Sequence, residues 1–199
     1  MAFWLQDPRF YGWTQRFVTR RDCWSRFVES YLRPVARERL LDLGCGIGRL
    51  LDFLPPLEYY GLDSNPSYIR YAQTKAKERA VFVCADLCQA PWPVEGLFDR
   101  VAATGVFHHL PDEQVLTVLK NARKVMKPGA TLVTFDGCYE KPQSYAARLL
   151  LSMDRGKYVR DQKGYEALAH SVFDRVRVHM ERKFLRVPYS HMIMQMTAD

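Results

Sequence analysis

Leu40-Leu41-Asp42-Leu43-Gly44-Cys45-Gly46-Ile47-Gly48 is the stretch that decides the fold. A short apolar run ends on an acid, three glycines alternate after it, and Arg49-Leu50-Leu51 opens a helical pattern. That order spells a buried strand, a tight turn and a helix N-terminus. Glycine has no side chain and tolerates positive φ, so the backbone of such a turn can come close to a ligand. The stretch is a nucleotide-type cradle. Its spacing turns it away from two common nucleotides. A dinucleotide fingerprint needs G-x-G-x-x-G, but here the third glycine comes one residue early and Arg49 stands in its place. A P-loop is excluded because no Gly-Lys-Ser/Thr follows.

Outward from the cradle, the pattern alternates between strand and helix. It predicts strands at 39–43, 58–62, 80–84, 98–104 and 130–136, and helices at 48–54, 66–78 and 112–127. Such alternation implies a parallel sheet with crossover helices. After Asp136 the rhythm changes. Helices are expected at 142–152 and 162–170, and strands at 172–180 and 184–195 with little between them, hence antiparallel. Before the cradle, Asp7-Pro8 marks a helix start. A second helix runs from about Asp22, through Trp24, Phe27, Val28, Tyr31 and Leu32, to Pro34.

The chain has 199 residues and 48% hydrophobic composition, which suits one domain with a sizeable core. It is read as one unit with three parts: a helical cap (1–37), a cradle-bearing core (38–136) and a substrate-side region (137–199). It contains no run of about 20 apolar residues, and its first residues do not read as a signal peptide. The five cysteines form no C-x-x-C pair, and three of them lie in apolar contexts, so reduced thiols in a cytoplasmic protein are expected, with no metal site. The net charge of +7 is uneven. Residues 1–40 carry 8 basic and 4 acidic side chains, residues 41–139 carry 10 and 11, and residues 140–199 carry 11 and 7. The basic flanks are either solvated surface or the face that meets an anionic acceptor or a lipid headgroup surface.

Five motifs in order resemble the class I S-adenosylmethionine-dependent methyltransferases, over about residues 38 to 136. These are Asp42-x-Gly44-x-Gly46-x-Gly48; Tyr60-Gly61-Leu62-Asp63; Cys84-Ala85-Asp86-Leu87; Phe98-Asp99-Arg100-Val101 through Gly105-Val106-Phe107-His108-His109-Leu110; and Lys127-Pro128-Gly129-Ala130, with alanine where the family's turn has a second glycine. The resemblance implies a Rossmann-like, doubly wound, mostly parallel seven-stranded α/β sheet whose last strand is antiparallel. It also implies S-adenosylmethionine as cofactor and S-adenosylhomocysteine as product.

By the same resemblance, Asp63 receives both ribose hydroxyls, with Ser64 beside it. Asp86 takes the adenine amino group and Leu87 meets the ring. Gly44, Cys45, Gly46, Gly48 and the backbone near Thr104 flank the methionine part. Asp42 is expected to orient the loop through backbone hydrogen bonds. Tyr11 either closes the site from an N-terminal helix or belongs to the core. Each acid also has a plain alternative: Asp63 can cap the helix that Pro66 opens, and Asp86 can be a turn residue.

The sulfonium supplies the electrophile, so the protein mainly positions a nucleophile and excludes water. A base is needed only for a poor nucleophile such as a hydroxyl. His108 and His109 follow the fourth strand, and each is either such a base or a packing residue. Arg155 and Arg160, within Met153-Asp154-Arg155-Gly156-Lys157-Tyr158-Val159-Arg160, either clamp an anionic acceptor or lie in a solvated loop. Tyr139, His109 and His191 are further acceptor-side candidates.

The expected reaction is in-line methyl transfer to a small-molecule or lipid-like acceptor, anionic in one version, with peripheral membrane contact allowed. Nucleic-acid methylation is the first alternative. The basic balance permits it, but the loop after the fourth strand lacks an Asn/Asp-Pro-Pro-Tyr/Phe motif and no Pro-Cys nucleophile is present. A non-catalytic cofactor-binding module is the second. Acceptor, pathway and oligomeric state are not read from the sequence.

Overall fold

The computed structural model describes residue 20, residues 22–153 and residues 157–199, and the side chain of residue 153 is not among the described ones. The first described helix is α1 (Cys23–Phe27), which continues as a π-helical turn over Val28–Leu32. Arg33 ends it in the left-handed region at φ 46°, and Pro34, which has no N–H to donate, cannot continue the helix. The helix expected from Asp7-Pro8 lies outside the described residues.

Then follow β1 (Arg39–Leu43), β2 (Glu58–Asp63), α2 (Pro66–Ala76), β3 (Ala80–Cys84), β4 (Phe98–Thr104), α3 (Asp112–Lys124) and β5 (Met126–Tyr139). The chain closes with α4 (Tyr145–Met153), β6 (Arg160–Asp161), α5 (Gln162–His170), β7 (Arg175–Glu181) and β8 (His191–Thr197). The strands run in the order β3-β2-β1-β4-β5-β8-β7, with the two-residue β6 pairing β5 off that path. Strands β1 to β5 are parallel to their neighbours in that group, and β8 is antiparallel to both β5 and β7. This is the Rossmann-like mixed sheet, with the added β6.

Helices cover both faces, so β1 is buried on both sides. Leu41 and Leu43 pack toward the face that carries Val115, Val118 and Leu119 of α3. Leu40 packs toward the other, with Phe27 of α1 and Ile69 and Ala72 of α2. The alternation follows the two-residue period of a strand, and a strand buried on both faces reads as the continuous apolar run seen here.

Several expected elements differ: α3 ends at Lys124 rather than 127, β7 begins at Arg175 rather than 172, and three others depart further. The helix at 48–54 is only a 3-10 turn over Leu50–Phe53, since Pro55 and Pro56 stop it early. The last strand starts at His191 rather than 184, and residues 182–190 form the connection to β7. Strand β5 spans Met126–Tyr139, longer than 130–136 at both ends. Its irregularity opposite β4, between Phe98 and Arg100, accommodates Pro128 within the strand. Lys127 reaches across to both carboxylate oxygens of Asp99 at 2.8 Å.

Candidate active site

The strand order reverses at β1, which lies between β2 and β4. In open α/β sheets the crevice at such a point, beyond the carboxyl ends of the strands, is where ligands bind. The loops that converge there are 44–49 after β1, 64–65 after β2, 85–88 after β3 and 105–110 after β4.

Gly44, Gly46 and Gly48 all have positive φ, at 67°, 53° and 70°. Two of them are filled from below. A Cβ at Gly44 would stand 2.6 Å from Val106 Cγ2, and one at Gly48 would stand 2.7 Å from Phe82 Cζ. At Gly46 a Cβ would meet nothing within 4 Å. The backbone at Gly46 therefore faces open space, as a cradle requires. The Cys45 amide donates to Leu62 O at 2.9 Å, and the Gly48 amide donates to Cys45 O at 2.9 Å, so the turn is pinned by β2 and by its own backbone.

Asp63 stands at the lip of this turn. Its Oδ2 accepts the Gly46 amide at 2.9 Å and its Oδ1 accepts the Asn65 amide at 2.8 Å. The capping of α2 is done by Asn65, whose Oδ1 accepts from Ser67 N and Tyr68 N. Asp63 is thereby relieved of the cap and tied to the cradle. Each carboxylate oxygen has a second lone pair for a further donor. Burial raises the pKa of Asp63, and the Asn65 and Gly46 amides act against that rise. Ser64 beside it is exposed, and its carbonyl accepts the Cys84 thiol at 3.6 Å.

Asp86 is exposed and holds a turn, with Oδ1 accepting the Cys88 amide at 2.9 Å. The turn role therefore exists, and it leaves the carboxylate facing solvent at the cradle's edge. Leu87 is buried, and its carbonyl accepts Trp92 Nε1 at 3.1 Å. Thr104 ends β4 half-buried, and the Gly105 amide donates to Phe135 O of β5 at 2.7 Å.

Asp42 departs from its expected role. It is 1% exposed, and its carboxylate takes the Tyr59 hydroxyl at 2.5 Å rather than loop amides. Asp42 points to the face of β1 opposite Leu41 and Leu43, where Tyr59 of the neighbouring strand meets it. Burial pushes its pKa up to about 7, the Tyr59 hydrogen bond opposes this, and the Asp63 charge adds to it.

Arg160 also departs from expectation. The guanidinium has five N–H groups, and all five are used inside the protein. Nε and Nη2 donate to Asp112 Oδ1 at 2.8 and 2.5 Å, Nη1 donates to Phe107 O and Tyr158 O at 3.0 and 2.9 Å, and Nη2 donates to Leu110 O at 2.8 Å. No N–H is left to clamp an acceptor. Sequence spacing cannot show this, because apart from Tyr158 the partners lie about 50 positions away. Arg155 and Tyr11 lie outside the described residues.

The two histidines separate. His108 is buried, with Nδ1 2.8 Å from Asp136 Oδ1 at the end of β5. His109 is exposed, with its ring 4.1 Å from that of His108. His191 is buried and stacks on Phe135 at 4.4 Å and 10°. Tyr189 lies 4.7 Å from His191, and Phe184 lies 5.2 Å from Phe135. Tyr139 is half-buried, with the Arg148 guanidinium 5.8 Å from its ring. The partners that sequence reading missed are Tyr59, Asp136 and Asn65. Only Asn65 carried a signal, as an Asn directly before Pro66 at a helix start.

Residues 40–129 match the family described as methyltransferase domain. Those residues form a class I S-adenosylmethionine-dependent methyltransferase domain. The 27-O-demethylrifamycin SV methyltransferase of Amycolatopsis mediterranei is 31% identical over 144 residues, which cover 67% of this chain and 52% of that protein. The ubiquinone/menaquinone biosynthesis C-methyltransferase UbiE of Coxiella burnetii is 25% identical over 183 residues, covering 82% and 69%. Among solved structures, the mitomycin 7-O-methyltransferase MmcR superposes with a TM-score of 0.74 at 18% identity, covering 96% of this chain and 56% of that one. The chain spans 52% to 67% of the length of the first curated relatives it matches.

The chain keeps three of its five cysteines, Cys23, Cys45 and Cys138, buried, and all five are free thiols. Among the described residues, no cluster of metal-ligating side chains occurs, and no helix is long and apolar enough to cross a membrane.

Proposed function

We propose that the chain transfers a methyl group from S-adenosylmethionine to a small organic acceptor. The observation that carries this reading is Asp63: freed from capping by Asn65, it sits beside the open backbone of Gly46 and holds its amide. A vicinal diol offers two donors to such a carboxylate. Gly44, Cys45, Gly46 and Gly48 shape the cradle for the rest of the cofactor, and Thr104 lies on the methionine side. Asp86, Leu87 and Ser64 border the adenosine end. Tyr11 is proposed as a cover from the N-terminal part. Asp42 anchors Tyr59, whose ring packs against Phe82 beneath Gly48.

The bound cofactor supplies an electrophilic methyl on a sulfonium. The protein's part is to hold the acceptor in line and keep water out. The acceptor side is the region where β4, β5 and β8 end or begin, next to loop 105–110. The aromatic cluster there, in which Phe135 stacks on His191 with buried Tyr189 and Phe184 packed around them, supports an acceptor with an apolar ring. The relatives named above act, by their names, on a rifamycin, in ubiquinone/menaquinone biosynthesis and on mitomycin, which supports a small molecule over nucleic acid. His109 is exposed at this side and is a candidate to touch the acceptor, as is Tyr139. If the acceptor is anionic, Arg155 and Lys157 are the cations of that segment to test, since Arg160 is engaged elsewhere.

Isothermal calorimetry with S-adenosylhomocysteine, nicotinamide adenine dinucleotide and a mixed RNA tests the binding half of this reading. Binding of S-adenosylhomocysteine alone supports it. Binding of the dinucleotide instead, or salt-sensitive binding of RNA, refutes it.

A further inference from the structure

Segment 157–161 is a wedge. On one side β6 pairs with the end of β5, Cys138 opposite Arg160 and Tyr139 opposite Asp161. On the other it holds loop 107–112, with the Tyr158 amide on His108 O at 3.0 Å and Arg160 on Phe107 O, Leu110 O and Asp112. Beneath it, the Arg160 guanidinium lies 5.5 Å from the Tyr165 ring, and the Tyr165 hydroxyl donates to Gly137 O of β5 at 3.0 Å. The Arg160 side chain is only 11% exposed.

The loop it holds reaches the cradle directly. Val106 packs under Gly44 so closely that a Cβ there would overlap it, and Gly105 is hydrogen-bonded to Phe135. The backbone at 104–106 thus has the cofactor cradle on one side and the aromatic cluster on the other. Three carbonyl oxygens and one carboxylate oxygen in different directions need a planar fork of donors. An ammonium on a flexible stem offers three donors from one point and cannot span them.

We infer that Arg160 is a positioning residue for methyl transfer: by gathering the Phe107 and Leu110 carbonyls and Asp112 it sets loop 105–110 against the cradle, and it contributes to turnover without touching cofactor or acceptor. This rests on the methyltransferase reading above and goes beyond it by linking the segment after α4 to the geometry of the reacting centre. Its shape also explains why the arginine lies two residues from a turn yet faces inward.

The test uses the whole chain and the variants Arg160→Lys and Arg160→Gln, below the temperature at which either begins to unfold. Amide hydrogen exchange is followed with and without S-adenosylhomocysteine. Exchange at 105–112 rises tenfold or more in both variants, while 44–48 and the S-adenosylhomocysteine Kd change less than threefold. In parallel, the transfer of labelled methyl from S-adenosylmethionine into a host extract is measured at fixed extract concentration. The maximal rate falls tenfold or more, with the KM for S-adenosylmethionine within threefold of the parent's, and lysine does not rescue it. Unchanged exchange at 105–112 overturns the inference, and so does a parental maximal rate in either variant. If the parent binds S-adenosylhomocysteine but labels nothing, the transfer reading fails, and the exchange result alone then decides whether Arg160 holds the loop.

Discussion

Replacing Asp63 with alanine removes two things at once. The first is internal: the Gly46 and Asn65 amides lose their acceptor, at 2.9 and 2.8 Å. Both amides are at the crevice and water can replace the carboxylate, so the folded state loses little, about 1 kcal/mol. The second is the cofactor. A hydrogen bond to a charged group contributes about 1.5–3 kcal/mol, and a diol makes two. Allowing for imperfect geometry and for water filling the gap, the loss in binding is about 2–4 kcal/mol, or roughly 30- to 1,000-fold in Kd. Asp63→Asn keeps one oxygen acceptor and gives up the charge, so its loss falls between the parent and the alanine variant. Calorimetry with S-adenosylhomocysteine reads these values, and a melting curve confirms that the variants are folded. A folded alanine variant that binds within threefold of the parent refutes the ribose assignment. A large loss with equal loss for asparagine points instead to the charge alone.

Two other perturbations probe the frame around that contact. Gly48→Ala places a Cβ at φ 70° and 2.7 Å from Phe82 Cζ. Left-handed strain of about 1–2 kcal/mol and overpacking of about 1–3 kcal/mol together lower stability by roughly 2–5 kcal/mol, a fall of about 4–20 °C in melting temperature for a chain of this size. A melting temperature within 2 °C of the parent's contradicts the packing. Asp42, with its pKa pushed from 3.8 up to about 7, binds a proton in the folded state that the unfolded chain has released. Its contribution to stability is therefore present at low pH and is lost as pH rises from about 4 through about 7. Asp42→Asn cannot titrate, so the difference in unfolding free energy, variant minus parent, climbs across that window. Parallel urea-denaturation curves over the same pH range contradict the shift.

The central strand β1 was legible because burial on both faces leaves a plain signature. Ala80–Cys84 and Phe98–Thr104 also have the predicted bounds, although β3 is an edge strand with Val81 and Cys84 exposed and β4 carries Asp99 and Arg100 near its start. Strand-helix alternation gave the parallel pairing of β1 to β5, while the strand order comes from the folded chain. The helix after the cradle was overread because helical spacing in Arg49-Leu50-Leu51 says nothing about how soon two prolines will stop it. The start of β8 was placed too early because the apolar residues at 184–190 mimic a strand, whereas Phe184 and Tyr189 pack as side chains of a connection.

The site divides in the same way. The glycines carry part of their meaning locally, in φ, and so does Asp63, through the Asn65 amide two residues on, although its Gly46 partner lies 17 residues back. Asp42, Arg160 and His108 find their partners, Tyr59, the 107–112 carbonyls and Asp136, only when separate strands come together. Residue type alone let Arg160 look like an anion clamp. Counting its five N–H bonds in the folded chain turned it into a strut.

The central claim is that a methyl group leaves S-adenosylmethionine for a small molecule. The most direct measurement incubates the purified chain with a host extract and S-adenosylmethionine carrying a deuterated methyl, and follows small molecules and RNA by mass spectrometry. The account predicts one or a few labelled small molecules, S-adenosylhomocysteine formed in equal amount, and loss of both with Asp63→Ala. Label in RNA alone, or tight S-adenosylhomocysteine binding with no labelled product in any fraction, contradicts it.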